Sequence, residues 1–396
     1  MPSKINIFSR KSFSFLALLG FFLLFAQKSL AYEPAEGGKP ITTEHESGSG
    51  PEKEKFDAGK MILEHVADAH SWHITGHLSL PLPVILKTDK GFECFSSSVF
   101  NNEEHEPTEV YNGNYPYKLV ENHVKVWDEA SGKIDEEATS KVYDFSITKN
   151  VLALFIGAGL MLWIFMSVAK SYSRRPGQTP KGMQSLIEPL IIFVRDDVAK
   201  PSIGAKYEKF LPFLLTVFFF IWINNLLGLI PFIPGGANLT GSISVTLVLA
   251  ALTFIITLIN TNGHYWRHVF AMPGVPIGVL FILTPIEILG VFLKPFVLMV
   301  RLFANITAGH IIALAFFSLI FIFGEMNVGA GLGVSVVSLA FTIFMFAMEL
   351  LVAFLQAYVF TLLSAMYFGG AVEEGHHAHD HGHDDHNMEK SQIDLI

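Results

Sequence analysis

The chain has 396 residues, 51% of them hydrophobic and 13% aromatic, with 36 phenylalanines. A composition this apolar is that of a membrane protein carrying a polar extension. The formal charge of −9 argues against nucleic acid as a partner, and the single cysteine, Cys94, excludes an internal disulfide and any cysteine-based metal site.

Residues 1–31 read as a secretory signal peptide: Lys4, Arg10 and Lys11 open it, Phe13–Ala26 is apolar, and Ser29-Leu30-Ala31 is a small-residue cleavage site. Residues 32–145 are expected to form an extracytoplasmic region. Its first part, to residue 60, is rich in Glu, Gly, Lys and Ser and predicts a disordered lead-in. Met61–Leu78 carries His65, His70, His73 and His77. A helix here would set 70, 73 and 77 on one face, and its Ile62, Val66, Trp72 and Ile74 suit an amphipathic helix lying on the membrane. A three-histidine metal site is the lesser alternative. From Pro81 to Val142 the pattern turns to strands, at Val84–Leu86, Phe92–Phe100 and Tyr117–Trp127, separated by Asp-Lys-Gly and Asn-Gly-Asn turns.

Residues 146–372 predict an all-α membrane domain with five transmembrane helices. Val151–Ala169 is the first, long enough for about 30 Å of hydrocarbon. Lys170, Arg174, Arg175 and Lys181 follow it, which predicts a cytoplasmic loop. Met183–Lys200 has a one-sided apolar stripe at 183, 186, 187, 190, 191, 194 and 198, expected to lie flat as a surface helix. Phe210–Ile230, carrying Asn224 and Asn225, and Ile243–Ile259 are the second and third spans. Two overlong apolar runs, Pro276–Phe323 and Val334–Phe368, predict a tilted helical hairpin that turns at Gly329–Gly333. The N-terminus is then extracytoplasmic and the C-terminus cytoplasmic. Residues 373–396 are rich in histidine and acid and predict a solvated tail with ligands enough to buffer metal.

Arg301 stands deep within the first long run. A guanidinium stays protonated at any physiological pH and costs about 2.5–3.5 kcal/mol at a bilayer centre on insertion scales. Such a charge points to an ion path, a voltage sensor or a counter-charge for an acid. Folding the hairpin about residue 329 pairs positions whose numbers sum to about 658. Arg301 then stands opposite Gln356 or Ala357, and His310 opposite Met348 or Glu349. Glu287, Lys294 and Arg301 recur every seven residues and share a face.

Arg301-Leu-Phe-Ala-Asn305 with Ala308-Gly309, Glu349, and Leu355-Gln356-Ala357-Tyr358-Val359-Phe360 together resemble subunit a of the F-type ATP synthase, over roughly residues 140–372. Ala304 departs from the glycine that many relatives carry, and the acid and histidine stand in reversed order. The resemblance implies a non-catalytic stator subunit that passes protons through two half-channels. Arg301 would face the rotor carboxylate, with His310, Glu349, Gln356, Asn305 and Glu287 along the path. It implies rotor-ring (c) subunits, peripheral-stalk (b) subunits and, indirectly, the catalytic head as partners in a bacterial inner membrane, with no cofactor. It also likens Met61–Leu78 to the short external helix before the first span. A sodium-carrying version and a self-contained channel or transporter stay open as alternatives; no internal repeat supports the latter.

Overall fold

The computed structural model describes residues 66–75, 78–101, 109–120, 122–174, 176–230, 236–270, 275–326 and 328–372, with Gly59, Ile62 and Met272. The expected signal segment, nearly all of the lead-in, His65, His77 and the tail lie outside these residues.

The N-terminal part is a β module of short antiparallel strands. A first hairpin pairs β1 (Ser71–Thr75) with β2 (Leu78–Pro81). A three-stranded sheet has the order β4 (Gly91–Ser96), β3 (Pro83–Thr88), β9 (Tyr143–Asp144). A four-stranded sheet runs β5 (Val110–Asn112), β6 (Pro116–Val120), β7 (His123–Asp128), β8 (Lys133–Ile134). The short helix α1 (Glu136–Ser140) precedes β9.

The helix expected over Met61–Leu78 is thus corrected. Gly59, Ile62 and Val66 are helical, but the chain becomes a strand at Ser71. Ser-Trp-His-Ile-Thr alternates aromatic and β-branched residues, which suit a pleated surface, and Trp72 turns inward to 2% exposure. His70 and His73 therefore do not share a helical face. His70 is buried instead, with Nε2 3.4 Å from Asp144 Oδ2. Burial raises the Asp144 pKa, but hydrogen bonds from His70 and Ser146 outweigh it and hold the carboxyl below its ordinary range.

The strand expected over Tyr117–Trp127 is also two strands. Val120 pairs with His123 across a tight turn in which Asn122 takes φ 62°. Asparagine reaches that left-handed region more readily than other non-glycine residues. The strand expected over Phe92–Phe100 ends at Ser96 and continues as a 3-10 turn, Ser97–Phe100. Val84, Leu86, Phe100, Tyr117, Val124 and Val126 close the module's core. The Tyr117 hydroxyl donates to Glu93 Oε2 at 2.7 Å. Burial and that bond push its pKa well above the ordinary phenol value.

The first span helix, α2, covers Lys149–Arg174. Helix α3 (Met183–Phe193) runs on through a π-helical stretch at Val194–Ala199, a turn at Lys200–Ile203 and a 3-10 turn at Gly204–Lys206 into α4 (Tyr207–Gly228). The expected surface helix and second span are therefore joined, with Gly204 at φ 72° between them. The stripe holds in part: Ile187, Ile191, Val194 and Val198 are buried, whereas Leu186 is 61% exposed. α5 (Ile243–Ile259) meets α6 (Gly263–Phe270) at 104°.

The two overlong runs are single helices, α7 (Ile277–Met326) and α8 (Val328–Val372), packed on each other as a hairpin. Pro285 and Pro295 are carried within α7. The turn falls before Gly329–Gly333, which α8 absorbs. Among the described residues, four helices are long and apolar enough to cross a membrane, or five when α5 and α6 count as one bent span. The chain is accordingly a mostly helical multi-pass membrane protein with a small β region.

Gly369 fastens the end of α8. A Cβ at this position would collide with the backbone carbonyl of Ser202. Backbone yields less readily than a side-chain tip, so Gly369→Ala should destabilise this junction by about 1–3 kcal/mol. A lowered melting temperature of the purified chain in detergent would register it, and an unchanged one would show that the helix end is not held there.

Candidate functional site

α7 turns Arg301 outward. It is exposed together with Val297, Ala304, Asn305 and Ala308, residues spaced so that they share one helical face. On α8, Ile343, Ala347, Leu350 and Leu351 are exposed likewise. Arg301 pairs with no carboxylate among the described residues. The hairpin thus presents a permanent cation on an apolar outer face.

His310 lies nine residues further along α7, and its Nδ1 is 3.3 Å from Glu349 Oε1 on α8. Their side chains are 12% and 6% exposed. Glu349 Oε2 is buried with no hydrogen-bond partner among the described residues. A buried polar atom so placed costs about 1–3 kcal/mol unless water or a proton serves it.

The pair borders a cavity of about 10 Å³, lined also by Asn224, Asn225, Asn238 and Thr240. That is room for about one water. The Thr240 hydroxyl donates to Asn225 Oδ1, and Asn225 Nδ2 donates to the Ala353 carbonyl at 3.3 Å. Asn238 Oδ1 accepts from the Gly241 N–H at 2.9 Å, while Asn238 Nδ2 has no partner among the described residues.

A second cavity, about 60 Å³, lies on the other side of Arg301 along the hairpin and is lined by Thr253, Thr257, Tyr265, Lys294 and Tyr367, among others. The Tyr367 hydroxyl donates to the Lys294 carbonyl at 3.5 Å, and Lys294 Nζ stands 5.9 Å from the Tyr367 ring. Glu287 is half-buried two turns before Lys294, within electrostatic reach of Tyr265. At 1.5 Å per residue, the helix rises about 10 Å from Lys294 to Arg301 and about 13 Å from Arg301 to His310. Gln356 is 5% exposed while Arg301 faces outward, and no hydrogen bond joins them, although the register sets them near one depth. Asn305 shares the outer face with Arg301, away from both cavities.

The family model described as ATP synthase A chain matches residues 151–369. The chain belongs to that family. Among its relatives, "ATP synthase subunit a 2" of Prosthecochloris aestuarii is 37% identical across 94% of this chain and 98% of its own length. Another "ATP synthase subunit a 2", from Chlorobaculum tepidum, is 47% identical over 62% of this chain and 68% of its own. "ATP synthase subunit a" of Myxococcus xanthus is 41% identical over 61% and 78%. Residues 61–145 match a different model, described only as a domain of unknown function.

Every residue named around the two cavities between Asn224 and Tyr367 falls within the family match, whereas the β module lies outside it. Asn238 and Thr240 were not legible as site residues. They sit in the loop between α4 and α5, and only the fold returns that loop onto α7 and α8. Two polar residues in Ala237-Asn-Leu-Thr-Gly241, amid apolar spans, were the available signal.

Proposed function

We propose that this chain is the stator ion channel in the membrane sector of an F-type ATP synthase. The observation that carries the reading is an exposed Arg301, paired with no carboxylate among the described residues, standing between two separate cavities, one of which holds the buried His310–Glu349 pair. Protons enter past Glu349 and His310 and neutralise a carboxylate on a rotor-ring (c) subunit, which then turns into lipid. A returning carboxylate meets Arg301 from the other side, releases its proton toward Lys294, Tyr367 and Glu287, and pairs with the guanidinium. The fixed cation blocks direct passage between the cavities. Each charge crossing 100 mV supplies about 2.3 kcal/mol for rotation.

The buried couple suits proton transfer, because an imidazole nitrogen can exchange a proton with an adjacent carboxylate. Asn305 lies where it would meet the rotor beside Arg301, and Gln356 braces the hairpin at the same level. In this reading the chain sits in a bacterial inner membrane, with the β module outside and the C-terminus in the cytoplasm. It contacts the c ring and the peripheral-stalk (b) subunits, performs no catalysis itself and needs no cofactor.

Deleting the chain from its cell and restoring it on a plasmid tests the assignment. Membranes lacking it should retain ATP hydrolysis on the head but lose ATP-driven proton uptake, and the restored copy should return the uptake. Proton uptake that survives the deletion overturns the reading.

A further inference from the structure

The β module is joined to the membrane domain at a small number of well-defined contacts. The first two N–H groups of α2 are held by it: Lys149 N–H donates to the Ala69 carbonyl at 2.9 Å, and Asn150 N–H to Asp68 Oδ1 at 3.0 Å. A helix start leaves such donors unsatisfied, so a carboxylate from another part of the chain caps this span. Beside it, Trp72 on β1 is buried against Ala153 of α2 and Ala237 of the α4–α5 loop.

Both elements that Trp72 touches lead to the small cavity. Ala237 is followed by Asn238 and Thr240, which line it, and Thr240 holds Asn225. Ala153 is one turn before Gly157, where a Cβ would collide with Asn224 Oδ1. That close approach sets the Asn224 carboxamide, whose Nδ2 donates to the Phe220 carbonyl at 2.7 Å. Thus one indole stands between the two supports of three asparagines, Asn224, Asn225 and Asn238.

We infer that the β module is a clamp on the polar cavity, and that Trp72 is a positioning residue that keeps α2 and the 237–240 loop closed over the cavity's asparagines. Packed interiors transmit such displacements because they have little free volume. The clamp follows from geometry alone; its effect on transport rests on the function proposed above.

Thiol accessibility tests it in the assembled complex. Cys94 is replaced by serine and Asn238 by cysteine, and a water-soluble cationic methanethiosulfonate reports exposure at 238. Trp72→Ala should raise the labelling rate about tenfold or more, as expected for a locally opened segment, and Trp72→Phe should restore most of the protection. Gly157→Ala, which leaves the module untouched, should push Asn224 into the cavity and slow labelling severalfold. Recovery of the catalytic head with the chain establishes that the variants assemble. If Trp72→Ala fails to assemble, the smaller truncation Trp72→Leu decides. Labelling in the assembled truncation that matches the Trp72 parent overturns the clamp. Proton uptake read in the same vesicles separates the two claims: faster labelling with reduced uptake upholds both. Faster labelling with normal uptake upholds the clamp and removes the cavity from the ion path.

Discussion

Arg301→Ala should abolish ATP-driven proton uptake in inverted vesicles, with a fall of about a hundredfold or more, while the head stays bound to the membrane. The separation of the two outcomes follows from the residue's surroundings. Arg301 is exposed and pairs with no carboxylate among the described residues, so its removal leaves no buried partner unsatisfied. Losing the charge even relieves an insertion cost of about 2.5–3.5 kcal/mol. A loss of assembly is therefore not expected, and a loss of coupling is. Arg301→Lys should fail as well, because an ammonium lacks the planar fork and shifts its pKa readily in apolar surroundings. ATP-driven acidification, with head recovery by pull-down, decides the matter. Normal uptake in either variant would end the proposal that Arg301 is the coupling charge.

Glu349→Gln should lower proton uptake by about tenfold or more, on the scale of losing one positioned proton-transfer group. The amide keeps nearly the same volume beside Gly309 and His310, so packing changes little. What disappears is a carboxylate able to hold a proton 3.3 Å from an imidazole. The exchanged pair His310→Glu with Glu349→His should work better than either single change, because the couple then survives in the opposite order. This non-additivity is the expected mark of residues in direct contact. Initial rates of uptake at several pH values measure it. Wild-type rates in Glu349→Gln would reduce the pair to a structural tie between helices.

The long hairpin was open to reading because its periodicity is simple. Its register, taken by folding the chain about residue 329, puts His310 beside Met348 or Glu349, and it is Glu349 whose side chain meets the imidazole. The turn itself was misplaced: Gly329–Gly333 looks like a loop by composition, yet it is taken up as helix in α8. Between 61 and 78, histidine spacing competed with the alternation around Trp72, and the strand pairing of β1 with β2 prevailed. Such pairing depends on residues up to ten positions away, which helical spacing does not consider. Gln356 was set beside Arg301 by depth, but helix rotation separates a buried amide from an exposed guanidinium. The asparagines and threonine around the small cavity come from α4 and the following loop. No local pattern announces that they converge.

The length of α7 has a consequence for direction of travel. Its 50 residues would measure about 75 Å if straight, against about 30 Å of hydrocarbon. A helix so much longer than the hydrocarbon is accommodated by tilting or kinking, and Pro285 and Pro295 lie within this one. On a tilted helix, the stretch of about 13 Å from Arg301 to His310 is part depth and part sideways displacement. The two cavities then differ in azimuth as well as in altitude. Under the proposed function, a proton leaving one cavity for the other would be carried laterally, the direction in which a carrier circulating beside the hairpin would move.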